Sequence, residues 1–285
     1  MGTIMLGADV AKAMKEELIC KVEALKAREI HPCLTIIRVG ARPDDIAYER
    51  GAKKRMELTG IECRILELPE EIGQEEFEEN FRRVNEDASV HGILLFQPLP
   101  KHLDVEPVKV MIDPEKDMDC MSPVNAAKVF AGDASGYAPC TAEAVLRMLE
   151  HYEIPMEGKR AVIVGRSMVV GKPLAMLLLA KNATVTVCHS RTVGLSSVCR
   201  GAEILVAAVG KAKMITADMV GEGAVVADVG INVDADGNLC GDVEYDTVET
   251  KASYISPVPR GVGSVTTSVL ASHVVRAAEK NASMR

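Results

Sequence analysis

The 285-residue chain is 48% apolar and 26% charged, ordinary proportions for a globular protein and enough length for two domains with separate cores. A formal net charge of −8, few aromatic residues and no tryptophan argue against a basic or base-stacking face, and so against nucleic acid or an anionic membrane as partner. The eight cysteines include no C-x-x-C pair and the six histidines no H-x-x-x-H cluster, which points to reduced thiols in a cytoplasmic protein and to no metal site. No basic-then-apolar leader and no apolar run of membrane-spanning length occurs.

Strand-like and helix-like segments alternate from end to end, the pattern of an α/β protein with mostly parallel sheets. Apolar spacing at Val10, Ala13, Met14, Leu18, Val22 and Leu25 predicts an amphipathic helix over 10–27. Residues 33–39 read as a strand ending at Gly40. Pro43, Asp44 and Asp45 then open a helix that carries Tyr48 and is stopped near Thr59 by Gly60. A second strand is expected over 61–68, a helix over 74–85, and a buried strand over 92–96 closed by Pro98 and Pro100. From 113 to 141 the pattern weakens into turn-rich chain, and a long irregular stretch in a compact protein is usually functional. A helix over 141–151 follows, so a domain boundary is expected near 140. Further strands are expected over 203–209, 224–229 and 254–256, with a final helix over 266–278.

The most informative segment is Ala161-Val-Ile-Val-Gly165-Arg166-Ser167-Met-Val-Val-Gly171-Lys-Pro173. It reads as a buried strand, a hard turn at Gly165 and a helix start that Gly171 lets pack close to the sheet, so that free N–H groups face a pyrophosphate. The spacing is G-R-S-x-x-x-G, not G-x-G-x-x-G, and by itself leaves a plain strand-turn-helix open. The next strand, Thr184-Val-Thr-Val187, ends in Cys188-His189-Ser190-Arg191-Thr192, with no acid between Gly171 and Glu203. Without a carboxylate for a ribose 2′-hydroxyl, and with Ser190, Arg191 and Arg166 available for a 2′-phosphate, NADP is favoured over NAD; either arginine alone would read as a solvated surface charge.

Pro114-Glu-Lys-Asp-Met-Asp119, Asp228-Val-Gly-Ile231-Asn232 and Ser256-Pro-Val-Pro259-Arg-Gly261-Val-Gly-Ser-Val-Thr266, together with Val39-Gly40 and Tyr48, closely resemble the methylenetetrahydrofolate dehydrogenase/cyclohydrolase family. The likeness spans essentially the whole chain. It implies a cytoplasmic homodimer with an N-terminal α/β folate-facing domain (1–140, rejoined by a C-terminal helix at about 266–285), a Rossmann-type NADP-binding domain (141–265), and an active site in the cleft between them. Such enzymes pass hydride from 5,10-methylenetetrahydrofolate to the nicotinamide, then hydrate the methenyl cation to 10-formyltetrahydrofolate. The resemblance makes Tyr48 and Asp119 the catalytic and folate-binding pair, with Pro259 and Gly261 also on the folate. It assigns Gly165, Arg166, Ser167, Ser190 and Ile231 to the cofactor, to which the readings of the glycine turn and the strand end add Gly171 and Arg191.

Two departures bear on mechanism. The family pattern Tyr-Val-x-x-Lys has Ala52 at the lysine position, and Lys53 and Lys54 fall away from the face shared by Tyr48 and Ala52 because a helix turns about 100° per residue. On the third strand Phe96 stands where the family has the glutamine that orients that lysine, with Gln97 expected on the opposite side. The two losses together predict a competent dehydrogenase with weak or absent cyclohydrolase activity. Arg260 and Ser264 also replace a family glycine and proline, and Cys120, Met121 and Ser122 replace Gly-Phe-His beside Asp119. The alternatives are a fully bifunctional enzyme using Lys53 or Lys54, a non-catalytic folate- or nucleotide-binding partner protein, and an unrelated NADP enzyme such as an amino-acid dehydrogenase. The last leaves the P-V-P-x-G-V-G segment unexplained.

Overall fold

The structure, a computed structural model, describes residues 2–283. Its first half runs β1 (Thr3–Ile4), α1 (Gly7–Lys26), β2 (Cys33–Val39), α2 (Pro43–Thr59), β3 (Glu62–Leu68), α3 (Gln74–Glu86), β4 (Gly92–Leu95), α4 (Glu106–Met111), α5 (Pro123–Ala131) and α6 (Cys140–His151). The second half runs β5 (Arg160–Val164), α7 (Gly171–Ala180), β6 (Thr184–Cys188), α8 (Leu195–Arg200), β7 (Ile204–Ala207), β8 (Val225–Asp228), β9 (Asn232–Val233), β10 (Leu239–Cys240), α9 (Tyr245–Val248), β11 (Tyr254–Ile255) and α10 (Thr266–Ser283). This is the α/β architecture with mostly parallel sheet that the alternation of segments predicts. No described helix is long and apolar enough to cross a membrane.

The chain divides into two compact units. The first comprises residues 13–129, 133–138 and 267–283 and is built on a parallel sheet in the order β3-β2-β4. Central β2 is buried throughout, and its alternation sorts two faces. Ile37 and Val39 join Ile93, Leu95 and Leu68 in a core completed by Phe77 and Phe81 of α3 and Val108 of α4. The register Ile37↔Leu95 turns Arg38 and Phe96 to the opposite face, where α2 lies. Helix α2 starts with Pro43 and ends at Gly60, whose φ of 76° is the left-handed conformation glycine adopts without strain.

The second unit comprises residues 2–12, 130–132 and 139–266. Its six-stranded sheet has the order β1-β11-β8-β7-β5-β6, parallel throughout, with β9 and β10 forming a separate antiparallel hairpin. Val162, Val164, Leu205, Ala207, Val226 and Ile255 form one buried face. The chain passes from β5 to β6 on one side and then back to β7 on the other. This reversal opens a crevice at the carboxyl ends of β5 and β7, the place where open α/β sheets bind ligands.

Three details differ from the sequence expectation. The stretch 113–141 is not irregular throughout: α5 forms at 123–131, started by Pro123 and by Ser122, whose Oγ accepts the Asn125 N–H at 3.1 Å. Its flanking glycines and prolines mask this short helix in the sequence. Residues 2–12 cluster with the second unit because Thr3 and Ile4 pair with Tyr254 and Ile255, while its main stretch begins at Pro139. The last helix is longer than 266–278 and reaches Ser283; residues 1, 284 and 285 of the expected domain ranges lie outside the described residues.

Candidate active site

In the second unit, β5 delivers the chain to Gly165 at the carboxyl end of the sheet. Gly165 has φ 134°, and a Cβ there would collide with the carbonyl oxygen of Ala208 beyond β7. A Cβ on Gly171 would collide with the carbonyl of Gly165 and crowd Arg166. Both positions are therefore closed to any side chain, and the backbone between them lies open to a ligand. Ser167 organises this turn: its Oγ accepts the Val170 N–H and its carbonyl the Lys172 N–H, each at 3.0 Å, leading into α7. Arg166 and Ser167 are exposed.

The adjoining strand end is equally ordered. The Gly165 N–H donates to Cys188 O at 2.9 Å, tying β5 to β6, and beyond Cys188 a tight turn forms in which Thr192 Oγ1 accepts the His189 N–H and His189 Nδ1 the Arg191 N–H. Ser190 and Arg191 project from this turn into solvent, beside the Gly165-Arg166 turn and with no acid in the sequence between. The glycines leave room for close backbone approach, and the cations and hydroxyl suit a phosphate, so the residues present fit NADP.

The D-V-G-I-N and P-V-P loops lie at the ends of β8 and β11. The Asp228 N–H donates to Ser256 Oγ at 2.8 Å, joining them. The Asp228 carboxylate is buried and accepts the N–H groups of Gly230, Asp242 and Val243 at 2.9–3.0 Å; burial pushes it up to about 6 although those bonds and the nearby Asp242 also act on it. Asp242, also buried, accepts the N–H groups of Val209, Gly210 and Lys211 and the Asn232 amide. Ile231, 69% exposed, is left standing beside Gly263. Pro259 is exposed, whereas Gly261 is buried against the Pro257 carbonyl. Arg260 takes φ 80°, a left-handed backbone that costs an ordinary residue about 1 kcal/mol, and its carbonyl accepts the Gly7 N–H at 2.8 Å.

In the first unit, Tyr48 stands partly exposed on α2 with its ring 5.7 Å from that of Phe96, edge to face at 86°. Ala52, one turn on, has no exposed surface. Lys53 and Lys54 are exposed, and Lys54 pairs with Glu57 at 3.6 Å. The two aspartates of 117–119 separate cleanly. Asp117 is buried and structural, accepting the Met121 and Ser122 N–H groups at 2.9 Å and the Asn125 amide at 3.0 Å. Asp119 is only half-buried, on a segment pinned by Ile93 and by the His273 ring at Met118 O. Cys120 beside it has φ 59° and its thiol is pushed up to about 12 by burial.

Residues 5–119 match the tetrahydrofolate dehydrogenase/cyclohydrolase catalytic domain, and residues 139–282 match the NAD(P)-binding domain of the same family. The chain belongs to that family. A Clostridioides difficile (strain 630) protein named Bifunctional protein FolD is 56% identical over 276 residues, covering 97% of this chain and 96% of its own. The crystal structure of the Campylobacter jejuni bifunctional enzyme FolD-methylenetetrahydrofolate dehydrogenase/cyclohydrolase has a TM-score of 0.96 at 40% identity, covering 99% of this chain and 100% of that one. The Trypanosoma brucei N5,N10-methylenetetrahydrofolate dehydrogenase-cyclohydrolase, solved with NADP cofactor and inhibitor, has a TM-score of 0.92 at 35% identity, covering 99% and 98%.

Within this family member, sequence reasoning passed over Arg38, Asp117, Asp228 and Asp242 as individual residues. Arg38 carried a signal, a lone charge inside the apolar strand 33–39. The partners of Asp228 and Asp242 come from loops distant in the chain, which no local pattern reveals. Among the described residues no group of three or more His, Cys, Asp or Glu side chains is placed to hold a metal, and all eight cysteines are free thiols.

Proposed function

We propose that the protein passes hydride from 5,10-methylenetetrahydrofolate to NADP, giving 5,10-methenyltetrahydrofolate, and that it hydrates this product weakly or not at all. The observation that carries the reading is the buried Ala52 beside a Tyr48–Phe96 ring contact, where the family has a lysine and a glutamine.

Hydride departure is driven by a folate nitrogen lone pair and asks mainly that two carbons be aligned, with no general base. Bound NADP supplies the acceptor. The unit built on β3-β2-β4 takes the folate, with the Tyr48 ring as a packing surface and the Asp119 carboxylate accepting hydrogen bonds from the pterin; Pro259 and Gly261 are also assigned to the folate. The unit built on the six-stranded sheet takes NADP: Gly165, Ser167 and Gly171 form the pyrophosphate turn, Arg166, Ser190 and Arg191 hold the 2′-phosphate, and Ile231 shields the nicotinamide. Water attack on the methenyl cation differs, because a proton must leave the attacking water. A positioned acid or base is worth about 10²–10⁴ in rate, and the exposed Lys53 and Lys54 support the view that neither supplies it.

The working form is a cytoplasmic homodimer. Edge strand β6 supports this: it ends the sheet with Thr184, Thr186 and Val187 exposed, an open hydrogen-bonding edge that proteins usually cover. Light scattering on a sizing column measures the mass, and a monomer refutes the dimer.

The deciding experiment mixes protein with 5,10-methylenetetrahydrofolate and NADP, then NAD, and follows reduced cofactor and methenyl absorbance together. Methenyl product that accumulates and decays at the spontaneous rate supports the reading. Rapid enzyme-dependent decay makes the protein fully bifunctional, and no turnover makes it a silent binder.

A further inference from the structure

We propose that Arg38 is a positioning residue for the folate side of the site: by clamping Glu49 it fixes the first half of α2 and so the ring of Tyr48. The proposal rests on the role given to Tyr48 above.

Arg38 is the one charged residue of β2, and its side chain is only 6% exposed. Its Nε donates to Glu49 Oε2 at 2.9 Å, a terminal nitrogen pairs with Glu67 Oε2 at 3.0 Å, and the other donates to Gly40 O. The sheet register pairs Arg38 with Glu67, and Phe96 directly follows Leu95, the partner of Ile37. Two consecutive residues of α2 therefore meet two adjacent strands: Tyr48 touches Phe96 through ring edges, and Glu49 meets Arg38 through an ion pair.

At the start of α2, Arg42 donates to Pro98 O at 3.1 Å and lies 3.9 Å from the Asp45 carboxylate, and Glu49 adds a contact to the sheet half-way along. The helix starts without a side-chain cap, and the residues it buries, Ala52, Met56 and Thr59, all fall in its second half. An uncapped start frays. A surface ion pair would not prevent that, but the guanidinium is desolvated and has charged partners on two sides, so releasing Glu49 would leave a buried charge with one of its two carboxylate partners. The geometry thus locks Tyr48 in the absence of the family's lysine and glutamine.

The test compares Glu49→Gln, Arg38→Met, Arg38→Lys and the Glu49→Gln/Arg38→Met double variant. We expect KM for 5,10-methylenetetrahydrofolate to rise about tenfold in Glu49→Gln and Arg38→Met, with kcat and KM for NADP changing by less than about twofold. The double variant should be no worse than Arg38→Met, because both act through one contact, and Arg38→Lys should recover part of the loss. In ¹³C-tyrosine-labelled protein the Tyr48 ring signals should move in both single variants while those of Tyr245 and Tyr254 stay. Additive effects, an equal loss for NADP, or unchanged folate KM and Tyr48 signals in folded variants would overturn the proposal. If Arg38→Met does not fold, Glu49→Gln, which keeps the Arg38–Glu67 pair, decides. A wild type that forms no methenyl product sinks the functional reading instead, and the Tyr48 signals still judge the clamp.

Discussion

Restoring the pair that this chain lacks, with Ala52→Lys and Phe96→Gln together, should create a cyclohydrolase. Ala52 has no exposed surface, so a lysine there is desolvated, and desolvation lowers an ammonium pKa toward the range of a working proton carrier. The Phe96→Gln change would provide the amide that orients it. The gain expected for a positioned acid or base is about 10²–10⁴ in the rate of methenyl hydration, equivalent to about 2.7–5.4 kcal/mol off the barrier. Replacing the buried Phe96 ring costs about 3 kcal/mol of stability, a large part of the 5–15 kcal/mol that domains typically have, so each preparation must first show a cooperative thermal transition. The assay adds 5,10-methenyltetrahydrofolate alone and follows loss of its absorbance against the spontaneous rate. NADP reduction is measured in parallel and should fall less than tenfold, since hydride transfer needs alignment only. A wild type already hydrolysing as fast as the double variant refutes the reasoning. A folded double variant with no gain would show that hydration here does not depend on these positions.

Removing Ser190 and Arg191 together by alanine substitution should weaken NADP binding about 10- to 150-fold, the worth of a hydrogen bond to a charged group, and leave NAD unchanged; equal losses for both cofactors would refute a 2′-phosphate site. Gly165→Ala forces a Cβ into the Ala208 carbonyl and should cost more than about 3 kcal/mol along with NADP binding, whereas Gly237→Ala, left-handed but with open space around it, should cost about 1 kcal/mol; thermal melts compare the two. Asp228, pushed up to about 6 from its ordinary 3.8, holds a proton when folded that the unfolded chain releases, so its contribution to stability is full below 3.8 and falls as pH rises to about 6. The fall amounts to about 3 kcal/mol if the whole shift is realised, read as the difference in urea midpoints between wild type and Asp228→Asn at pH 4 and pH 7. A ¹³C carboxyl titration of Asp228 with a midpoint below 4 would refute it.

What was legible in the sequence was whatever short-range chemistry decides. β5 and its glycine turn were plain because β-branched residues run straight into two positions where no side chain fits. Helix α2 was plain because Pro43 and Gly60 punctuate it. Helix α5 was hidden because Pro123, Gly132 and Gly136 surround a helix of nine residues. Strand β1 was hidden because two residues carry no periodicity, and it exists only through its partner β11 some 250 positions away. The same holds for the site. Tyr48, Asp119 and the residues proposed for the phosphates are singled out by motif, but which aspartate of 117–119 is structural depends on Ser122 and Asn125 folding back onto Asp117.

The substitutions at 52 and 96 are best understood as one event, because each alone would leave a polar group stranded. A lysine at 52 facing Phe96 would be a buried ammonium with no acceptor, and a glutamine at 96 facing Ala52 would be a buried amide with unmet donors; either costs about 1–3 kcal/mol or more. Ala with Phe removes both obligations, and the Phe96 ring gains an edge contact with Tyr48 worth about 0.5–1.5 kcal/mol. The cycle should therefore be strongly non-additive. The double variant should be destabilised less than the sum of the Ala52→Lys and Phe96→Gln costs, with a favourable coupling of about 0.5–3 kcal/mol between them. Urea unfolding of the four proteins measures that coupling. A value near zero would mean that the two side chains do not sense each other, and the loss of lysine and the loss of glutamine would then be separate accidents.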